Sequence, residues 1–283
     1  MRAIFRESAL QERLGRDGYV EIDLLEHADV SELISLHDRH SDRLGAQAVT
    51  FTAMHPDANR RRVISDGIRA VLDPALERVL VDCRPVLGNF FCKQPSSADS
   101  EIHIHQDWSF VDETEHQSLT VWCPLQNITR ESGTLSVVPG SHRLSDRPRG
   151  FVRRFPWPEV ESVLKTQYSR EVKVGPGQVV MFHQRLFHWS APNHSAARRL
   201  AANCFVAPRE ATILYPHTDE EHLDRIEVFF GDDELLTSFT LGQRPEARSL
   251  GFVDSATPQL TRVDLERVLG PLWSIPVITA RAQ

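Results

Sequence analysis

The feature that most constrains the fold is a change of pattern near residue 84. From there to residue 207, short runs rich in β-branched and aromatic residues follow one another, and each ends in turn-forming residues such as Gly133 or Pro139-Gly140. The predicted strands cover residues 86–92, 101–107, 118–125, 134–138, 170–174, 178–183 and 199–207. Many short strands separated by turns are typical of a β-sandwich or β-barrel. The middle of the chain is therefore predicted to form a β-fold.

The first third of the chain is predicted to be mainly helical. Amphipathic patterns indicate helices at 7–16 and 31–44, with a short strand at 19–22 between them. Asp57 can cap a third helix. Pro74 is expected to separate that helix from another at 76–81, because proline lacks the amide hydrogen that a helix interior requires. The sequence after residue 210 is mixed and acidic and predicts no clear fold.

Composition and charge narrow the classes of function. Of the 283 residues, 41% are hydrophobic and 25% are charged, as in ordinary soluble globular proteins. A net charge of −7 argues against a surface that coats nucleic acid, which needs an excess of Lys and Arg. No apolar run reaches the roughly 20 residues of a membrane span, and the N-terminus lacks the apolar stretch of a signal peptide. We therefore expect a cytoplasmic protein that binds neither nucleic acid nor membrane; a homo-oligomeric state stays open.

The four cysteines predict neither a zinc site nor a redox pair. Cys83, Cys92, Cys123 and Cys204 are scattered along the chain and show no CxxC spacing. We expect them to be reduced thiols in the core.

A His-x-Asp tripeptide on a strand can supply two ligands to one metal ion. Side chains at positions i and i+2 of a strand point to the same side, about 6.6 Å apart along the strand. With 13 His and 19 Asp in 283 residues, about one such tripeptide is expected by chance, yet six occur. They begin at His27, His40, His55, His105, His217 and His222.

Sequence context separates the six tripeptides. The first two lie in or beside a predicted helix, where residues i and i+2 diverge by about 200° and cannot chelate together. The third contains a proline and is typical of a helix start, and the last two lie in an acidic run that is typical of a solvated surface. Only His105-Gln106-Asp107 lies in strand-like sequence. Two histidines and one carboxylate can hold iron with positions left open, so a third ligand is needed from a distant strand.

Two histidines compete for that third position, His183 and His188. The sequence after His188 favours it, because a polar turn containing Asn193 leads to a strand that begins at Arg199. A hairpin of this shape brings a guanidinium back beside the metal, where it can hold a carboxylate with two parallel hydrogen bonds.

Arg198 is the alternative to Arg199 as that pocket cation. Alternation along the strand favours Arg199, because it shares a face with the polar Asn203, whereas Arg198 shares one with Leu200 and other apolar residues. The more polar face fits a solvent-filled pocket better.

Four motifs together resemble the phytanoyl-CoA dioxygenase family over roughly residues 15–207. They are HQDWSF at 105–110, VWCPLQN at 121–127, GTLSVVPGSH at 133–142 and FHQRLFHWSAPNHSAARR at 182–199. The resemblance implies a mainly β fold with flanking helices, a double-stranded β-helix or cupin-like jelly roll. We expect one oxygenase domain over 1–283, with a helical part at 1–83, a jelly-roll core at about 84–209 and a C-terminal extension at 210–283.

Carried over by motif, the resemblance implies that His105, Asp107 and His188 bind Fe(II). It further implies 2-oxoglutarate as cosubstrate and O2 as oxidant. The carboxylate at Asp107 favours hydroxylation over halogenation, because related halogenases leave that coordination site free for chloride.

The resemblance also implies a cosubstrate pocket. Arg199 and Ser190 are expected to hold the far carboxylate of 2-oxoglutarate. Trp122 matches a position that lines the pocket, with plain core packing as its alternative. Lys93 resembles a lysine that reaches the other end of the cosubstrate, with a surface position as its alternative.

The substrate side is less defined. Trp108 and Phe110 follow the predicted strand that carries His105 and Asp107, and they are expected to contact the substrate. Trp189 stands where the family usually has a small residue, and its indole is expected to lie on the substrate side and to narrow or reshape the pocket. An arginine-rich insertion at 143–169 is either a lid that recognises an anionic substrate or an exposed loop.

The resemblance implies an Fe(II)- and 2-oxoglutarate-dependent dioxygenase. We expect it to hydroxylate an unactivated C–H bond of a small molecule in bacterial biosynthesis or catabolism, with release of succinate and CO2. Desaturation or cyclisation is the alternative outcome. A jelly-roll module that binds a metal or ligand without turnover is the alternative from another class, because a fold does not guarantee chemistry.

Overall fold

The computed structural model describes residues 1–40, 47–151, 155–219, 221–222, 224–240 and 242–271. The helices are α1 (Ser8–Asp17), α2 (His27–His40), α3 (Ala58–Val79), α4 (Pro158–Val163), α5 (Asp233–Ser238) and α6 (Arg262–Leu269). The strands are β1 (Tyr19–Asp23), β2 (Val49–Phe51), β3 (Cys83–Lys93), β4 (Ile102–His105), β5 (Leu119–Pro124), β6 (Leu135–Val137), β7 (Arg170–Glu171), β8 (Gln178–His183), β9 (His188–Ser190), β10 (Arg199–Pro208), β11 (Leu214–Thr218), β12 (Arg225–Phe230) and β13 (Ser249–Asp254).

Two antiparallel sheets form the central part of the molecule. The larger sheet has the order β1-β8-β5-β10-β3-β2, and the smaller has the order β4-β9-β6-β7. Neighbouring strands are distant in sequence, as in a jelly roll, where the chain crosses repeatedly between two sheets. The predicted double-stranded β-helix with flanking helices is confirmed, and all seven predicted strands are present within a few residues of their expected bounds.

The N-terminal helices cover the outer face of the larger sheet. Ile64 and Ile68 of α3 belong to the same buried cluster as Leu200 and Cys204 of β10. Because side chains alternate along a strand, the other face of β10, which carries Arg199, is turned toward the space between the two sheets. This alternation separates the packing surface of the larger sheet from the surface that forms the site.

Helix α3 corrects one prediction. Asp57 caps it as expected, accepting from the backbone N–H groups of Asn59 and Arg60. The predicted break at Pro74 is wrong, because α3 continues through the proline to Val79. Ala75 is buried in the core beyond it, and such burial offsets the lost backbone hydrogen bond. Residues 41–44 of the predicted second helix lie outside the described residues.

The C-terminal extension forms a third, three-stranded antiparallel sheet, β11-β12-β13, together with α5 and α6. Tyr215 and Ile213 share a buried cluster with Val86 and Phe110, so the extension packs against the jelly roll. All four cysteines are buried and unpaired, as expected. None of the helices among the described residues combines the length and apolar composition needed to cross a membrane. The single-domain organisation stays a prediction.

Candidate metal centre and cosubstrate pocket

Three side chains predicted to bind a metal converge between the two sheets. β4 pairs with β9 so that His105 lies opposite His188, and their ring centroids are 4.2 Å apart. Asp107 follows β4, where its backbone N–H donates to the carbonyl of Gln184 at 2.9 Å. Its Oδ1 atom lies 3.9 Å from Nε2 of His105 and 3.6 Å from Nε2 of His188. Among the described residues, no other group of three His, Cys, Asp or Glu side chains converges in this way.

Backbone carbonyl groups orient both imidazoles toward the aspartate. Nδ1 of His105 lies 2.8 Å from the carbonyl oxygen of His103, and Nδ1 of His188 lies 3.0 Å from that of Leu186. Each Nδ1 must therefore carry the hydrogen, which leaves the lone pair of Nε2 free. Desolvation beside the cavity, followed by the charge of His188, lowers the pKa of His105 to about 4. The ring is therefore neutral near pH 7, as a metal ligand must be.

The larger sheet positions the carboxylate of Asp107. The hydroxyl of Thr120 in β5 donates to Oδ2 of Asp107, so that Oδ1 is the oxygen facing the histidines. Phe182 of β8 packs against His188 with ring centroids 4.7 Å apart. Thr120 was absent from the predicted site. Its position two residues before Trp122, on the same face of a predicted strand, is the signal that could have revealed it.

His183, the competing histidine, lies outside this group. Its Nδ1 accepts from the backbone N–H of Arg185 at 3.0 Å, and its ring stacks on His142 at 5.5 Å. Burial lowers the pKa of His183 to about 3. The structure thus places His183 in the interior as a neutral packing residue.

Arg199 is a buried cation with an open hydrogen-bonding group. It is 2% exposed, and its guanidinium carbon lies 5.1 Å from the centroid of the Trp122 ring. Its Nε atom is buried and has no hydrogen-bond partner among the described residues. Burial lowers the pKa of Arg199 to about 10, so it stays charged at neutral pH. Arg198, the alternative, is exposed and pairs with Asp38 at 2.8 Å.

Lys93 lies beside Arg199 and connects the two sheets. The two residues are partners in the β3–β10 register, and Lys93 is 0% exposed, so the alternative of a surface position is wrong. Its Nζ atom donates to the carbonyl oxygens of Ser190 at 3.1 Å and Ala191 at 2.5 Å. Burial, followed by the charge of Arg199, lowers the pKa of Lys93 to about 6. The four residues expected around the cosubstrate are therefore linked, with Trp122 stacked on Arg199 and Ser190 joined to Lys93.

A cavity of about 450 Å³ opens beside the three converging side chains, and His105, Asp107 and Thr120 line it. Trp108 and Phe110, the predicted substrate contacts, are part of its wall. The lining also contains five phenylalanines, Phe51, Phe91, Phe151, Phe155 and Phe205. An apolar wall with a few polar groups is typical of a small-molecule site.

The structure does not bring Trp189 into this cavity, which corrects the expectation that its indole narrows the pocket. Trp189 follows His188 in β9, and successive strand residues point to opposite faces. Its indole N–H donates to the hydroxyl of Ser169 at 2.8 Å, and Lys165 lies 4.5 Å above the ring. The unusual bulk at this position is accommodated behind the strand.

The insertion contributes to the cavity wall through Arg147, Arg149 and Phe151. Its first part is therefore not an exposed loop. Arg153 and Arg154, which were part of the predicted arginine-rich lid, lie outside the described residues.

Comparison with known proteins agrees with this geometry. Residues 10–201 match the model of a family described as phytanoyl-CoA dioxygenase (PhyH). The chain belongs to the phytanoyl-CoA dioxygenase family. A probable alpha-ketoglutarate-dependent hypophosphite dioxygenase of Stutzerimonas stutzeri is 32% identical over 117 residues, which cover 38% of this chain and 39% of that protein. The phytanoyl-CoA dioxygenase of Arabidopsis thaliana is 35% identical over 137 residues, 44% of each chain. The matches thus span about two-fifths of the length of these relatives.

Solved structures share the phytanoyl-CoA dioxygenase fold of this chain. The epimerase SnoN from nogalamycin biosynthesis superimposes with a TM-score of 0.53 at 20% identity, covering 77% of this chain and 88% of SnoN. AviO1 from Streptomyces viridochromogenes Tue57 also has a TM-score of 0.53, at 22% identity, covering 72% of this chain and 96% of AviO1. Identities this low establish the fold alone. The family match includes every residue of the candidate metal centre and of the expected cosubstrate pocket, and it ends before the C-terminal extension.

Proposed function

We propose that this protein is an Fe(II)- and 2-oxoglutarate-dependent dioxygenase that oxidises a C–H bond of a small molecule. The observation that carries the proposal is the convergence of His105, Asp107 and His188 beside a cavity that the first two of them line. Two neutral imidazoles and one carboxylate are the donor set that leaves Fe(II) with open positions for a keto acid and oxygen. Membership of the family supports the same activity.

Residues from both sheets fit the cosubstrate. Arg199 has a buried Nε without a partner, and a carboxylate would satisfy the guanidinium with parallel hydrogen bonds. The ring of Trp122 lies against that guanidinium, with 5.1 Å between the ring centroid and the guanidinium carbon. Ser190 is buried on β9, two residues after His188, and its hydroxyl would add a donor to the same carboxylate. Lys93 would donate a hydrogen bond to the cosubstrate, and the negative charge of the bound cosubstrate would favour the protonated form of the amine.

Fe(II) held by the three ligands would couple decarboxylation of 2-oxoglutarate to oxidation of the substrate by O2, with succinate and CO2 released. The chain's own residues orient and enclose the reaction. Thr120 fixes which oxygen of Asp107 faces the metal, and the carbonyls of His103 and Leu186 fix the two imidazoles. The aromatic wall would shield the reacting carbon of a bound substrate from water.

Hydroxylation is the outcome that we propose, in bacterial biosynthesis or catabolism. The presence of Asp107 supports oxygen insertion over halogenation, because the carboxylate occupies the position that a halide would need. The same fold is found in an enzyme described as an epimerase, SnoN, and in one described as a carbocyclase, SnoK. Product mass separates the outcomes: hydroxylation adds one oxygen atom, and desaturation or cyclisation removes two hydrogen atoms.

The test of the activity begins without oxygen. Fe(II) and then 2-oxoglutarate are added to the protein anaerobically, and a visible charge-transfer band is expected as the keto acid binds the metal. Succinate is expected to form when air is admitted. No band and no succinate would mean a jelly-roll module that binds its ligand without turnover, and metal binding without a response to 2-oxoglutarate would mean a different metal enzyme.

A matched pair of variants separates the ligand from its surroundings. His105→Ala is expected to lose the band. His103→Ala, two residues away with an exposed side chain, is expected to keep it, since His103 orients the ring of His105 through its backbone carbonyl, which the substitution retains. A band that survives in H105A would contradict the assignment of that ligand.

A further inference from the structure

Two arginines of the insertion line the cavity, and one of them is already neutralised. Nη2 of Arg149 donates to Oε1 of Glu113 at 2.7 Å, and both side chains are buried. Arg185 approaches the other oxygen of the same carboxylate at 3.5 Å. The charge of Arg149 is therefore engaged inside the protein.

Arg147 differs from Arg149 in having no carboxylate partner among the described residues. Its Nη1 atom donates to the backbone carbonyl of Ser255 at 3.2 Å and to its hydroxyl at 3.0 Å. Its Nε atom is buried without a hydrogen-bond partner, and its guanidinium lies 5.6 Å from the ring centroid of Trp157. Burial, followed by the charge of Arg149, lowers the pKa of Arg147 to about 10. The side chain is thus held in place, charged at neutral pH and incompletely satisfied.

The carboxylates of the cavity lining do not compensate Arg147. Glu101 binds Nζ of Lys165 at 2.6 Å. Asp107 is one of the three converging residues of the candidate metal centre. Among the described residues of the lining, the charge left without a partner is therefore positive. A cation withdrawn from water in this way is costly unless an anion joins it.

The guanidinium of Arg149 links the backbone of Arg147 to the backbone of Asp107. Nε of Arg149 donates to the backbone carbonyl of Asp107 at 2.8 Å, and Nη1 of Arg149 donates to that of Arg147, also at 2.8 Å. Because both carbonyl groups bind one planar group, the backbone of Arg147 is held in a fixed relation to Asp107. An anion bound by Arg147 would therefore be anchored at a defined position relative to the metal.

We propose that the cavity takes a small organic acid, whose carboxylate pairs with Arg147 and whose apolar body lies among the aromatic side chains beside the candidate metal centre. The inference rests on the proposed function and assigns the substrate class of the same site. A carboxylate fits better than a phosphate, since one unpaired cation with Nη1 already engaged by Ser255 matches one negative charge. Trp108, Phe110 and Phe151 supply the apolar contact.

The test measures binding, without turnover, by ligand-observed NMR or calorimetry. The probes are acid and amide pairs of increasing size: phenylacetate, 3-phenylpropanoate and decanoate, each with its neutral amide. The wild-type protein is expected to bind at least one acid about tenfold or more tightly than its amide, because charge-assisted hydrogen bonds are roughly twice as strong as neutral ones. Arg147→Met is expected to abolish this preference, and Arg147→Lys to keep part of it.

Three controls separate this site from other causes. Arg143→Met removes an exposed arginine of the same segment and is expected to keep the preference. Arg199→Met disables the pocket proposed for 2-oxoglutarate and is also expected to keep it, which excludes binding of the probe acids at that pocket. Thermal midpoints of the Arg147 variants must match the wild-type value, and R147K serves as the folded comparison if R147M is destabilised.

The possible results divide clearly. A preference that survives R147M, a preference lost in R199M, or the absence of any acid preference across the panel overturns the proposal. The oxygenase proposal is judged separately by the charge-transfer band. An acid preference that depends on Arg147 in a protein without the band would retain this anion site and reject the oxygenase; a band without the preference would do the reverse.

Discussion

Replacing Thr120 with valine tests how the metal centre is built. Valine keeps the shape of the side chain but removes the hydroxyl that donates to Oδ2 of Asp107. Thr120 is buried in β5. Among the described residues, its hydroxyl donates to no group other than Asp107. The carboxylate would then be free to rotate away from His105 and His188. We expect the variant to fold and to bind divalent metal more weakly.

The size of the effect follows from the kind of bond that is lost. A hydrogen bond to a charged group contributes about 1.5–3 kcal/mol. Each 1.4 kcal/mol corresponds to about a tenfold change in affinity, so the dissociation constant for Fe(II) should rise by about 10- to 100-fold. Residues that form hydrogen bonds to metal ligands typically change the metal affinity by about the same factor when they are replaced. The side chain of Asp107 is 22% exposed, so water can replace part of the bond, which favours the lower end of the range.

The assay is an anaerobic calorimetric titration with Fe(II), repeated with Co(II). Thr134→Val is the matched control, because Thr134 is a buried threonine whose hydroxyl donates to the carbonyl of Val172 at 3.0 Å, outside the site. T134V should bind metal as tightly as the wild-type protein. An unchanged dissociation constant in T120V, with the protein folded, would refute the idea that Thr120 positions the carboxylate.

Three further outcomes are expected. Arg199→Met should weaken 2-oxoglutarate binding by at least about 30-fold, because removing one member of a buried charge pair costs about 2–5 kcal/mol. Arg198→Met should leave 2-oxoglutarate binding unchanged, and a titration of the charge-transfer band measures both variants. The unfolding free energy of the metal-free protein should rise with pH through Lys93, by up to about 1.4 kcal/mol per pH unit between pH 7 and 9. The folded lysine, with its pKa lowered to about 6, has lost a proton in this range that the unfolded lysine still carries. Lys93→Met should flatten that slope in denaturant titrations. Arg149→Met should lower the unfolding free energy by up to about 3 kcal/mol in the same experiment, because buried Glu113 loses its closest ion-pair partner and keeps only Arg185, at 3.5 Å.

Each of these outcomes can fail on its own. Equal losses in R198M and R199M would indicate a general electrostatic effect instead of a defined carboxylate site. A pH slope that is the same in K93M and the wild-type protein would mean that Lys93 stays protonated when folded. An R149M protein as stable as the wild type would show that Glu113 takes up a proton or another partner at little cost.

Much of the architecture was readable from local pattern. Alternation along 199–207 correctly placed Arg199 and Leu200 on opposite faces of β10, because the period of a strand is a local property of the backbone. The same rule selected His105 and Asp107 from six similar tripeptides. It fails for elements whose extent depends on packing: α3 continues through Pro74 because the residues beyond it are buried, which no local rule reveals. The three-residue strand β9 was also too short to recognise, so the outward direction of Trp189 was missed.

The contacts that complete the site join residues far apart in the chain. His105 faces His188 only because β4 pairs with β9, and Thr120 reaches Asp107 only because β5 lies in the opposing sheet. Neither relation leaves a periodic trace in the sequence, since the first depends on strand pairing within the smaller sheet and the second on how the two sheets are stacked. The amino-acid order therefore specified which side chains could serve as ligands, and their convergence on a single point, like the unpaired charge of Arg147 at the cavity wall, arises from long-range packing that brings separate strands together.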